Sequence, residues 1–157
     1  MTPQTFVAGE AASVASLPGE SRRAMYLPPN GAANAAFLET LRLLLVHESR
    51  EGLELAFATP RAWLRPGGRI AVANAPTGFG PVSFTIEAHE GWADVSVEVP
   101  ARAKPRTLRL RLRLPPGQRI ANVTLSGRPY RRFDAATGTI DLSRQSGTLG
   151  LRVGFRD

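Results

Sequence analysis

His47 and His89 are the only histidines in this 157-residue sequence, and there is no Cys. They are therefore the only side chains whose ordinary titration falls near neutral pH. A metal centre would have to join one of them to carboxylates, but no His-x-His or His-Glu-x-x-His spacing occurs. No metal and no cofactor is expected. Disulfides, thiolate centres and Cys nucleophiles are excluded outright. His47-Glu48 has the makings of an acid/base pair, although a strand-end His beside a carboxylate is more often structural. His89-Glu90, just before Gly91-Trp92, reads as a solvated hairpin tip. Cleaving a glycosidic bond takes two opposed carboxyl groups about 5–10 Å apart. Asp94 and Glu98 lie two pleats apart on one strand face, roughly 13 Å, too far for the retaining geometry. Beyond residue 100 the acids are only Asp134, Asp141 and Asp157. Asp134 opens the turn Asp134-Ala135-Ala136-Thr137-Gly138, where its carboxylate suits an Asx-turn. There is no Gly-x-Ser-x-Gly elbow, and Thr77-Gly78-Phe79-Gly80 lacks the Lys and the length of a phosphate loop. No catalytic residue is selected.

Binding chemistry is better represented. A protein that holds sugars offers flat aromatic faces to the C–H faces of a pyranose and places polar groups for the hydroxyls. Trp63, Phe79, Trp92 and Tyr130 all fall near expected turns or strand ends. Trp92 adjoins Glu90 and Asp94, and Tyr130 adjoins Arg131. The candidate carbohydrate-binding set is therefore Trp92, Tyr130, Trp63, Glu90, Asp94 and Arg131. The competing reading is core packing, which weighs most for Trp63 and Phe79. Arg109, Arg111 and Arg113 form a row at about 6.6–7 Å spacing that could track phosphates. No aromatic residue interleaves them for base stacking, and no RNA-recognition motif is present. The outer face of a sheet accounts for them equally well.

Charge is unevenly placed. Residues 1–100 carry a net −3, residues 101–157 a net +10, and the chain +7. Nineteen of the 20 basic residues are Arg, with Lys104 the sole Lys. Such a half could attract an acidic polysaccharide, nucleic acid or an anionic membrane, or could be a solvated face. No run reaches the roughly 18 apolar residues of a membrane helix. Residues 1–17 lack a positive n-region, and Glu10 interrupts their apolar stretch, so no secretory signal is read. The chain reads as cytoplasmic or as a segment of a longer secreted protein, with the compartment left open.

The elements that must position these residues are mostly strands. Residues 1–30 are rich in Ala, Ser, Gly and Pro and read as a flexible arm or linker ending in Leu27-Pro28-Pro29-Asn30-Gly31. Residues 31–48 read as a lead-in, with helix over roughly 34–41 N-capped by Asn34, then strand over roughly 42–48. A stripe of Leu38, Leu41 and Leu45 without a partner would invite homodimerisation. Beyond residue 50 the period is two. Leu53, Leu55 and Phe57 alternate with Glu54 and Ala56. Val82, Phe84 and Ile86 alternate with Ser83, Thr85 and Glu87, and Leu108, Leu110 and Leu112 with Arg109, Arg111 and Arg113. About eight to ten such strands separated by Gly/Pro turns define an all-β, antiparallel β-sandwich over 31–157 with a short N-terminal helix.

Several stretches resemble a known family. They are Ala58-Thr59-Pro60-Arg61-Ala62-Trp63-Leu64, Gly68-Arg69-Ile70-Ala71-Val72, Ala75 through Ser83, Val123 through Pro129, and Phe133 through Leu142. Together they resemble the C-terminal β-sandwich accessory domain of bacterial six-hairpin, (α/α)6-toroid glycoside-hydrolase-like proteins, over about residues 28–155. Residues 28–48 would then resemble the end of the toroid or its linker. The resemblance implies a non-catalytic module, since the cleaving carboxylates would belong to a toroid. No catalytic residue is carried onto this chain. The expected function is carbohydrate binding, of a polysaccharide or oligosaccharide, or docking on a glycosidase catalytic domain. A small polysaccharide-active enzyme with loop carboxylates is the alternative, and a nucleic-acid-binding β domain the weakest.

Overall fold

The structure, a computed structural model, describes residues 10–14, 23–27 and 31–157, the first two stretches as backbone only. The chain divides into two compact units, Met1–Arg42 and Leu43–Asp157. In the first, β1 (Glu10–Val14) and β2 (Arg23–Leu27) pair antiparallel. They fall within the stretch expected to be an arm, whose remaining residues lie outside the described ones. Helix α1 (Gly31–Leu45) begins three residues before the expected Asn34 cap and runs to Leu45, taking residues assigned to strand. Composition explains this. Between 31 and 45 only Thr40 is β-branched, and Ala and Leu are the strongest helix formers. The first β-branched core residue, Val46, starts β3.

The second unit continues with β3 (Val46–Glu48), β4 (Gly52–Leu55), a 3-10 turn (Arg61–Leu64), β5 (Arg69–Ala75), β6 (Val82–His89), β7 (Trp92–Glu98) and β8 (Thr107–Arg111). It ends with β9 (Arg119–Leu125), β10 (Arg128–Pro129), β11 (Phe133–Asp134), β12 (Thr139–Asp141) and β13 (Thr148–Arg156). A six-stranded sheet runs β10-β9-β13-β7-β6-β5 and a five-stranded sheet β11-β12-β8-β4-β3. The all-β sandwich with its one helix stands as the sequence periodicity requires. Strand alternation is clean: β6 and β7 bury every second residue. Leu53, Leu55, Leu108, Leu110 and Ile140 from one sheet form a single buried cluster with Phe84, Ile86, Val95, Val97, Leu151 and Val153 from the other.

One pairing departs from the antiparallel expectation. β4 and β8 are parallel, with Leu53 opposite Leu108 and Leu55 opposite Leu110. Three strands of the opposite sheet intervene in the chain, which returns to β4 from the same end. An alternating pattern specifies faces and not directions, so it carries no sign of this. The two carbonyls that end α1 are also satisfied tertiarily: Ala56 N–H donates to Leu45 O at 2.7 Å and Ala58 N–H to Leu44 O at 3.2 Å.

Candidate functional site

The outer face of the five-stranded sheet is built by register. β3 sets His47 opposite Glu54, β8 sets Arg109 opposite Glu54, and β12 sets Asp141 opposite Arg109. One cross-strand row therefore reads His47, Glu54, Arg109, Asp141. The next row places Arg111 opposite Thr139 and Thr139 opposite Asp134. Ion pairs follow from the adjacency: Arg109 to Glu54 at 3.6 Å, His47 to Glu54 at 3.8 Å, and Arg132 to Asp141. Apart from His47, these groups, with Phe57, Phe133, Arg131 and Thr137, line an open concavity of about 690 Å³.

Phe57 reaches this face through a kink. By alternation it belongs with Leu53 and Leu55 on the inner row. Ala56 instead adopts φ +53°, a left-handed conformation that costs a non-glycine residue about 1–2 kcal/mol. Ala56 is fully buried and Phe57 is 38% exposed. The Arg111 guanidinium lies over the Phe57 ring at 5.3 Å from its centroid, and His47 approaches the ring at 5.9 Å. Arg111 also donates through Nε to Thr137 O at 3.3 Å.

Asp134 and Asp141 are held ionised. Asp134 accepts the Ala136 and Thr137 amides at 2.8 and 3.3 Å, the Asx-turn its position suggested. The Thr137 hydroxyl foremost, then these two amides, lowers its pKa. For Asp141, burial pushes the pKa up, but the Ser143 hydroxyl and amide and the Arg132 guanidinium outweigh it and bring the value down to about 2. This native value lies below the ordinary carboxylate near 3.9. The stabilisation is therefore complete above about pH 4–5 and is lost as pH falls through about 2. With the side chain one-third exposed (33%), Asp141→Asn is expected to cost about 1–2 kcal/mol at pH 7 after solvent screening. Urea unfolding of both proteins at pH 7, 4 and 2.5 checks this. A gap between them that does not shrink with acid contradicts it.

The sequence-selected aromatic residues stand elsewhere. Trp92 is on β7 of the six-stranded sheet, half-buried, with His89 stacked at 3.9 Å and Arg152 at 4.2 Å from its centroid. His89 and Arg152 come from the strands on either side of β7, so both Trp92 faces are covered. Asp94 is bound to Arg152 at 2.9 and 3.1 Å, which lowers its pKa. It lines a second hollow of about 470 Å³ that opens above Gly150 on the outer side of this sheet. Glu87 in the same hollow pairs with Arg69 at 3.2 Å, so its charges are matched. Glu90 is exposed in the β6–β7 turn. Tyr130 packs half-buried against the core, and its hydroxyl donates to Asp141 O at 2.5 Å. Trp63, weighed as a core residue, is 37% exposed, and its neighbour Leu64 is buried instead. Phe79 packs against the core. Of the candidate carbohydrate-binding set only Arg131 lines the larger concavity.

Glu54, Phe57, Arg132 and Phe133 had no distinguishing sequence signal as site residues, whereas the Arg109–Arg111 row did. No cluster of three or more His, Asp or Glu among the described residues could hold a metal ion. No helix among them is long and apolar enough to cross a membrane. The fold and this face together define an all-β sandwich with a basic, aromatic-backed concavity on one sheet. Comparison of the chain with family models, curated proteins and solved structures finds no match.

Proposed function

We propose that this chain is a non-catalytic accessory module of a glycoside-hydrolase-like protein and binds carbohydrate on the outer face of its five-stranded sheet. One observation carries the reading: an open concavity of about 690 Å³ that combines Phe57 and Phe133 with convergent arginine, carboxylate and threonine groups. Apolar backing with a few placed donors and acceptors is what a sugar ring and its hydroxyls require. The resemblance of residues 28–155 to toroid-associated sandwiches supports the same class. The carboxyls favour binding over bond cleavage. A glycosidase needs a general acid with a raised pKa, whereas Asp134 and Asp141 are both held down. Docking on a catalytic domain has its own support, because α1 buries none of its residues and exposes Phe37, Leu38 and Leu43.

Affinity electrophoresis against neutral and acidic polysaccharides tests the proposal. Retardation by at least one glycan is expected, with no release of reducing sugar. Phe57→Ala is expected to weaken it about tenfold with little change in stability, since the ring backs the Arg111 guanidinium and such a cation–π contact contributes roughly 1–2 kcal/mol. Trp92→Ala is expected to leave retention intact. No retardation by any glycan, or reducing-sugar release, would overturn the reading.

A further inference from the structure

We infer that the ligand of this concavity is an acidic saccharide whose carboxylate is held between Arg111 and Arg131; the inference rests on the carbohydrate reading above. The lining holds four arginines against three carboxylates, Glu54, Asp134 and Asp141. Two of those arginines are already matched, Arg109 with Glu54 and Arg132 with Asp141. Asp134 directs its carboxylate to the amides of its own turn. Arg111 and Arg131 form no ion pair with any carboxylate among the described residues. Arg111 is also pre-oriented, steadied by Thr137 O on one nitrogen and by the Phe57 ring beneath its plane. A guanidinium held in this way presents its remaining N–H groups as a fork that matches a carboxylate.

The positive field continues past the concavity. An adjoining small hollow shares Arg111 and Thr137 and adds Arg61 and Arg113. Arg61 donates to Leu114 O, and Arg113 to Ala58 O and Thr59 O at 3.3 Å. Backbone carbonyls are neutral acceptors, so both guanidinium charges stay uncompensated. A chain of uronate residues, with a carboxylate on each ring, fits such a band better than an isolated anion. The lining also contains Glu54, Asp134, Thr137 and Thr139, which accept from hydroxyl groups. Those acceptors suit the hydroxyl groups that every ring of a polysaccharide carries and a DNA phosphodiester backbone lacks, which favours sugar over DNA.

Affinity electrophoresis with polygalacturonate decides the matter, alongside the same polymer reduced at its carboxyl groups, a neutral glucan and single-stranded DNA. Retardation by polygalacturonate is expected, at least tenfold stronger than by the carboxyl-reduced polymer. Arg111→Gln/Arg131→Gln is expected to remove most of it. Arg119→Gln/Arg156→Gln, which deletes the same charge from the six-stranded sheet, is expected to change it less than twofold. Arg131 is exposed and makes no ion pair or hydrogen bond among the described residues, so Arg131→Gln alone keeps the test valid should the double variant unfold. Equal binding of native and reduced polymer, or of the neutral glucan, would refute the acidic ligand and leave the carbohydrate reading standing. Equal losses in the two double variants would refute the Arg111–Arg131 site. DNA binding as tight as polygalacturonate would replace the saccharide by a phosphate ligand. No binding of any polymer would end both readings.

Discussion

Gly138→Ala is expected to lower the unfolding free energy by about 3 kcal/mol and to abolish ligand retention at temperatures where the wild type is folded. Gly138 has φ +69° in the turn between β11 and β12, and a Cβ there would overlap the Leu112 carbonyl oxygen. That carbonyl belongs to backbone, so it cannot rotate away as a side chain would. Gly138 also accepts the Leu112 amide at 2.8 Å and donates to Asp134 O at 3.0 Å. Relief of the overlap would therefore pull apart the turn that carries Asp134, Thr137 and Thr139 into the concavity. Gly147→Ala is the matched control: its φ is +74°, but nothing lies within 4 Å of its added carbon. It should show the left-handed strain alone, about 1 kcal/mol. Chemical denaturation of the two variants measures the difference. Equal losses would mean that the Leu112 contact yields freely.

Leu110→Ala is the second, at about 2–5 kcal/mol. Leu110 is fully buried in β8, between the outward Arg109 and Arg111 and in register with Leu55 and Ile140. Truncation leaves a cavity at the middle of the five-stranded sheet, where strands on both sides limit collapse. The same residue sets the height at which its two arginine neighbours stand, so the variant should weaken glycan binding even where it remains folded. A loss of unfolding free energy in urea below that of a surface substitution, about 0.5 kcal/mol, would show that the sheet repacks around the gap.

The architecture was largely legible in the residue pattern. Alternation at Val82–His89, Trp92–Glu98 and Thr107–Arg111 specified strand and inner face together, and the burial of those strands follows it. The site was much less so. Position near a turn marks Trp92 as a stacking candidate, yet Arg152 and His89 pack on its ring from neighbouring strands. The alternation that holds in β6, β7 and β8 places Phe57 in the core, and a single left-handed residue, Ala56, turns it outward. Glu54 lies 55 positions from Arg109 and meets it only because β4 and β8 run parallel.

From composition and periodicity alone come the two-faced strands, the turn residues between them, the want of thiol chemistry, and the excess of arginine in the last third. These are properties of short windows, where hydrophobic burial acts on each residue independently of its distant neighbours. The pairing of charges, and hence which arginines remain free to hold an anion, was decided only by the folded chain. Coulomb attraction and hydrogen bonding depend on separations of a few ångströms, and strand order and direction create those separations between residues far apart in sequence.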